Sequence, residues 1–185
     1  MSLNKSLTFN QTVRGITDFI EVAIHTILYS RHPGLNEYIS GAVKAIGEEL
    51  VRGDVDKVIV VIKDKDQLAL ERFIFSMDTV IQVETFNKET SVEDAMSPQA
   101  LGQIYLGDDV SFAILLELKD NKKPTPKNDK EPAPWIPADA QHTTAAASED
   151  AELHMIRAVN TGIINLSLTV QESDVKLRRE RENSM

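Results

Sequence analysis

The sequence contains no cysteine. That excludes disulfides, thiolate nucleophiles and thiolate metal sites, and it fits a reducing compartment. Positive charge is scarce too: 20 lysines and arginines stand against 29 acids, a net charge of −9. A protein that held nucleic acid mainly through its phosphates would need a basic face, so direct nucleic-acid binding is not expected. No apolar run approaches the ~20 residues of a membrane-spanning helix, and the N-terminal MSLNKSLTFNQTV lacks the apolar stretch of a secretory leader. The expectation is a soluble intracellular chain without membrane association. Aromatics are only 5% of the 185 residues and include one tryptophan, Trp135, so each large ring carries weight. Hydrophobic content of 42% is slightly low but sufficient for a core, and the length suits one domain.

Catalytic and metal-binding patterns are missing as well. The four histidines, His25, His32, His142 and His154, do not pair at ligand spacing, which leaves no zinc signature. There is no nucleophile elbow and no dinucleotide fingerprint. Gly102-x4-Gly107 lacks the Lys-Ser/Thr that a phosphate loop requires. The acid pairs Asp54/Asp56, Asp64/Asp66 and Asp108/Asp109 read as solvated turn residues. His25, on the margin of a helical stripe, reads as structural. The sequence therefore offers no catalytic residue, no metal site and no cofactor, and a non-enzymatic protein is expected.

What is present begins with TVRGITDFIEVAIHTILYSRHPGLNEYI, Thr12 to Ile39. Val13, Ile16, Ile20, Ala23, Ile24, Ile27 and Leu28 recur at three- and four-residue steps and form one side of a helix. His32-Pro33 stops it, and Pro33 suits the first turn of a second helix reaching about Val51. The buried face of that second helix is expected to be Leu35, Ile39, Val43, Ile46 and Leu50. KVIVVI, Lys57 to Ile62, reads as a strand buried on both faces. Lys63–Asp66 is a polar turn into a strand over Leu68–Met77, antiparallel to the first, with a register shift near Glu71-Arg72. Val80–Phe86 fits a strand, and Val92–Leu101 a short helix interrupted by Pro98. Phe112–Leu118 reads as a buried strand, the following Lys/Pro/Asp-rich stretch as an extended polar loop, and Gln141–Asp150 as mobile. Ile163–Val170 alternates, with Ile164, Leu166, Leu168 and Val170 inward and Asn165, Ser167 and Thr169 on a wet face. The charged tail after Glu172 is disordered or at best a solvated helix. Helices first and antiparallel strands afterwards predict an α+β fold, with amphipathic helices packed on one face of a mainly antiparallel sheet.

FIEVAIHTILYSR, HPGLNEYI, DVDKVIVVIKDKD, ERFIFSM and PWIPADAQH, in this order, resemble the HORMA domain family. Within it they resemble the non-catalytic accessory subunit of translesion DNA polymerase zeta. The resemblance implies a single HORMA domain over residues 1–172, a C-terminal safety belt over about 119–172, and a tail at 173–185. In that family the belt closes over a partner peptide added as a strand to the sheet. A tryptophan and a tyrosine that contact the peptide match Trp135 and Tyr38. On residues alone, Trp135 is as readily the anchor of a long loop on the core, and Tyr38 a helix-surface ring. The implied partners are a proline-containing peptide of the polymerase zeta catalytic subunit and the C-terminal domain of a deoxycytidyl transferase translesion polymerase. The second partner's surface would include Leu153, Ser167 and Thr169, whose alternative reading is the wet face of an edge strand. Ser167 and Thr169 replace a glutamine and a tyrosine of the vertebrate pattern. A homodimer stays open, and the implied location is the nucleus, with the cytoplasm also open.

Two stretches depart from the family. Tyr29-Ser30-Arg31 runs straight into His32-Pro33 where the family has an extended segment. SVEDAMSPQALGQIYLGDDV stands where the family has a long amphipathic helix with a self-association surface. Loss of that helix would leave the sheet's apolar face and the first helix under-covered. The rival readings are a HORMA adaptor of the spindle-checkpoint branch, a defective isoform lacking the core helix, and a small α+β enzyme.

Overall fold

The computed structural model describes residues 7–28, 33–79, 91–92, 110–119, 134–138 and 151–183. The elements in chain order are β1 (Leu7–Thr8), α1 (Phe9–Leu28), α2 (Pro33–Arg52), β2 (Val55–Lys63), β3 (Ala69–Thr79), β4 (Ser91–Val92), β5 (Ser111–Leu118), β6 (Ile136–Pro137), β7 (Glu152–Asn160), β8 (Ile164–Glu172) and α3 (Asp174–Asn183). The strand expected at Val80–Phe86, the Gly102/Gly107 loop and the Gln141–Asp150 stretch lie outside the described residues. So does nearly all of the helix expected at Val92–Leu101 and of the polar loop before Trp135.

Both long helices form where the periodicity places them. Every residue of the α1 stripe from Val13 to Leu28 is at most 3% exposed, and Ile39, Ala42, Val43, Ile46 and Leu50 of α2 are buried with it. Pro33 is the first residue of α2, where its missing N–H leaves no intrahelical bond unmade. Gly53, at φ 80°, ends the helix in a left-handed conformation, its N–H donating to Leu50 O at 3.0 Å. By contrast, Gly41 is exposed in mid-helix, and nothing lies within 4 Å of where a Cβ would sit. Gly41→Ala is therefore expected to stabilise the chain by ~0.5–1 kcal/mol, read as a higher urea midpoint at unchanged m-value.

The main sheet has the order β6-β5-β2-β3-β8-β7, antiparallel except for the parallel β5–β6 pair. β2 is central, with β3 and β5 paired along its length. Val58 to Ile62 are all at most 3% exposed, as a strand covered on both faces requires. Val58, Val60 and Ile62 join Phe73, Phe75, Met77, Ile114 and Leu116 beneath α1 and α2. Phe75 is fully buried, its ring edge-to-face with Phe19 at 6.3 Å. Ile59, Val61, Ile74 and Leu115 form a smaller cluster on the opposite face, each at most 2% exposed. The under-covering expected from the replaced helix is thus corrected: the α1 stripe and both faces of the central strands are buried.

The β2–β3 pair is the expected antiparallel hairpin. Its register shift sits between Ile62↔Glu71 and Lys63↔Ala69, so the extra residue is Leu70, just before the expected place. The turn is held by Asp64, whose Oδ1 accepts from the N–H groups of Asp66 and Leu68, both at 3.0 Å. β8 alternates as expected, but it is not an edge strand. β7 covers it on one side and β3 on the other. β7 went unread because none of its residues is buried, which erases the alternation a half-buried strand would show. The β7–β8 turn contains Gly162 at φ 81°, with its N–H donating to Asn160 Oδ1 at 2.7 Å. The charged tail takes the helical one of its two expected forms, as α3.

Candidate functional site

Two groups of residues singled out by the sequence come together at opposite edges of the sheet. The first lies on β5. Tyr38, in the second turn of α2, is 37% exposed, and its ring packs edge-to-face on Phe112 of β5 with centroids 6.0 Å apart. Partial burial raises the pKa of its phenol by disfavouring the phenolate. Trp135 reaches the same strand from far downstream. Ile136 and Pro137 pair in parallel with Leu115 and Leu116, and Ala138 N–H donates to Leu116 O at 2.9 Å. Phe112 and Leu115 are three residues apart, ~10 Å along the strand.

Trp135 itself is 5% exposed and belongs to the main core. In this state its ring anchors the segment to the domain rather than being displayed at the surface. Burying so large a ring fixes the two-residue β6 against β5, which a pair of backbone contacts alone would not hold. β5 is paired with β2 from end to end, whereas on its other side only Leu115 and Leu116 have a strand partner among the described residues. Along Ser111–Ile114, alternate N–H and C=O groups point outward beside Tyr38. That is the geometry an extended peptide needs in order to add as a strand.

The second group lies on the face opposite α1 and α2. Cross-strand partners share a face, so the register places Leu115, Ile59, Ile74, Thr169 and Met155 in one row across five strands. Adjacent rows hold Leu153 opposite Gln171 and Ala158 opposite Ser167. Leu153, Ser167 and Thr169 are therefore brought together, but on two strands: Leu153 on the edge strand β7, and Ser167 and Thr169 half-buried on interior β8. Met155 is the residue that sequence reasoning passed over. It is 70% exposed, beyond the 60% of Leu153, and faces Thr169 directly. The Leu153-x-Met155 alternation was the signal available. Four strand steps of ~4.8 Å separate β5 from β7, ~19 Å, so a ligand at one edge leaves the other accessible.

Among the described residues no group of three or more His, Asp or Glu could hold a metal ion, and no helix is long and apolar enough to cross a membrane. His25 is half-buried on α1, 3.9 Å from Glu21. His32 and His142 lie outside the described residues.

No protein-family model matches the chain. Individual relatives do. The mitotic spindle assembly checkpoint protein MAD2B of Danio rerio is 26% identical over 207 residues, covering 93% of this chain and 96% of that protein. That aligned span is longer than the 185-residue chain, so the relative holds segments that this chain lacks. The DNA polymerase zeta processivity subunit of Schizosaccharomyces pombe is 33% identical over 97 residues, 40% of this chain and 46% of that one. Among solved structures, Caenorhabditis elegans HTP-2 bound to the HIM-3 closure motif superposes with a TM-score of 0.61 at 9% identity, covering 90% of this chain and 92% of the other. The chain has the HORMA fold of these solved structures, and in sequence it resembles MAD2B and the processivity subunit of DNA polymerase zeta.

Proposed function

We propose that the chain is a non-enzymatic adaptor of DNA polymerase zeta. It clasps a proline-containing peptide of the catalytic subunit as an added strand on the Ser111–Ile114 edge of β5. Tyr38 contacts the peptide, and the segment anchored by Trp135 closes over it. The observation that carries this reading is the edge of β5, where among the described residues only Leu115 and Leu116 have a strand partner, flanked by those two residues. A solved relative of the same fold is described as bound to a closure motif, which supports the peptide-clasping mode. On the far edge, Leu153 and Met155 with Ser167 and Thr169 offer a second protein an apolar patch with hydroxyls behind it. We assign this patch to the C-terminal domain of a deoxycytidyl transferase translesion polymerase. An adaptor of this kind works on chromosomal DNA through its partners, which supports a nuclear location, with the cytoplasm also open.

The test is titration with the proline-containing peptide from the same organism's catalytic subunit. Tyr38 is exposed enough that Tyr38→Ala should leave folding intact while weakening binding at least tenfold, ~1.4 kcal/mol. Leu153→Asp should leave that affinity unchanged and abolish binding of the transferase domain. The name of the zebrafish relative, a mitotic spindle assembly checkpoint protein, favours a second reading, a HORMA adaptor of the spindle-checkpoint type. Binding a checkpoint peptide in preference to the polymerase peptide would decide for it.

A further inference from the structure

The end of the sheet where β8 passes into α3 brings like charges together. Glu71 of β3, Glu172 of β8 and Glu152 of β7 are successive cross-strand partners, so three carboxylates stand in one row across neighbouring strands. Acids placed directly opposite one another repel and weaken strand pairing. Two side chains, a histidine and a lysine, face the row. His154 Nε2 lies 3.4 Å from Glu172 Oε2 and 3.5 Å from Glu152 Oε2. Lys176, in the first turn of α3, donates to both Glu71 and Glu172 and lies 3.4 Å from Glu180.

A second cation on the same helix reaches further. Arg179 donates to Asp64 Oδ2 at 3.0 Å, on the carboxylate that holds the β2–β3 turn. Asp64 and Glu71 are only 6% and 7% exposed, so neither can turn to solvent if its cation leaves. Burial disfavours the charge on Lys176, but the hydrogen bonds it donates to Glu172 and Glu71 outweigh it and hold its pKa above the ordinary lysine value. For Asp64, burial works against the charge while the N–H of Leu68, Arg179 and the N–H of Asp66 together hold its pKa below the ordinary carboxylate value. The helix is aimed at these sites by its own cap. Ser173 N–H donates to Leu70 O at 2.9 Å, and Ser173 Oγ accepts from Lys176 N–H at 3.3 Å.

We infer that α3 is a charge latch, which holds the β7–β8 hairpin against β3 by neutralising the glutamate row and by gripping the β2–β3 turn. α3 begins two residues after β8 ends, so the hairpin cannot leave β3 without pulling Lys176 and Arg179 from their carboxylates. When the latch opens, the glutamates repel and the outer strands loosen. The contacts alone support this device. Its bearing on peptide retention rests on the proposed clasping function.

The experiment is hydrogen exchange on the full chain, wild type against a Lys176→Ala/Arg179→Ala double variant, at low salt and in about 1 M salt, where the Debye length is ~3 Å. At low salt the variant should exchange its β8 amides about tenfold faster, with α1 and α2 unchanged, and salt should bring the wild type towards it. The charge-preserving Lys176→Arg/Arg179→Lys variant should behave as the wild type. Adding Glu172→Gln to the alanine variant should restore part of the protection, because it removes the central charge of the row. Unchanged β8 exchange overturns the latch, as does equal acceleration throughout the chain or no rescue by Glu172→Gln. Peptide dissociation from the same samples should accelerate with β8 exchange. Failure of every sample to bind peptide would overturn the clasp while leaving the latch standing.

Discussion

Replacing Ile59 by aspartate is expected to unfold the chain as completely as replacing its neighbour Val60. The two side chains point to opposite faces of β2, Val60 towards α1 and α2, Ile59 into the smaller cluster with Val61, Ile74 and Leu115. Both are fully buried. An unpaired carboxylate at either position would have to take up a proton to remain inside. A pKa displaced by ~3–5 units carries the carboxyl to or past neutral pH, where taking up the proton costs about 4 kcal/mol, and the lost burial of the aliphatic side chain adds ~1.5–3 kcal/mol. Together these reach the ~5–15 kcal/mol that stabilises a whole domain. Circular dichroism at neutral pH checks this: neither Ile59→Asp nor Val60→Asp should give a cooperative melt. Unfolding only by Val60→Asp would mean that the second face is not a core.

Trp135→Ala should show the second large effect, and it should register in stability before binding. The ring is buried in the main core beside β5, and truncating a buried tryptophan costs about 3–5 kcal/mol. Loss of the ring also frees Ile136 and Pro137 from Leu115 and Leu116, so peptide affinity should fall at least tenfold under conditions where the variant is still folded. Tyr38→Ala is expected to behave in the opposite way, with a small change in stability and the same fall in affinity, because its ring is over a third exposed. Urea denaturation and titration on both variants separate the two roles. A Trp135→Ala protein as stable as the wild type would show that the ring does not anchor β6. One that binds peptide with undiminished affinity would remove Trp135 from the clasp.

Those residues also mark how far the sequence could be read. The α1 and α2 stripes and the β2, β3, β5 and β8 runs were legible because one-sided or two-sided burial writes a period of 3.6, a period of 2 or a continuous apolar run into the residues themselves. β7 carries no such mark, since no residue of Glu152–Asn160 is buried and its place is set by backbone pairing with β8. β6 is two residues long, too short to carry a period of its own, and it directly follows the buried Trp135. The alternation in β8 told which side is inward but not which strands flank it, and so Ser167 and Thr169 read as an edge when they lie one strand inside it.

By itself, the sequence determined the absence of thiol chemistry, the acidic balance, the two amphipathic helices, the central apolar strands and the family likeness, all of which are local or compositional. Only the tertiary structure decided that Tyr38 and Trp135 share β5, that Met155 stands beside Thr169, and that Lys176 and Arg179 close over buried acids of the β2–β3 hairpin. Each of these depends on which strands pair and in what register. Pairing is chosen by the whole chain's burial of apolar surface, and no local window of residues records that choice.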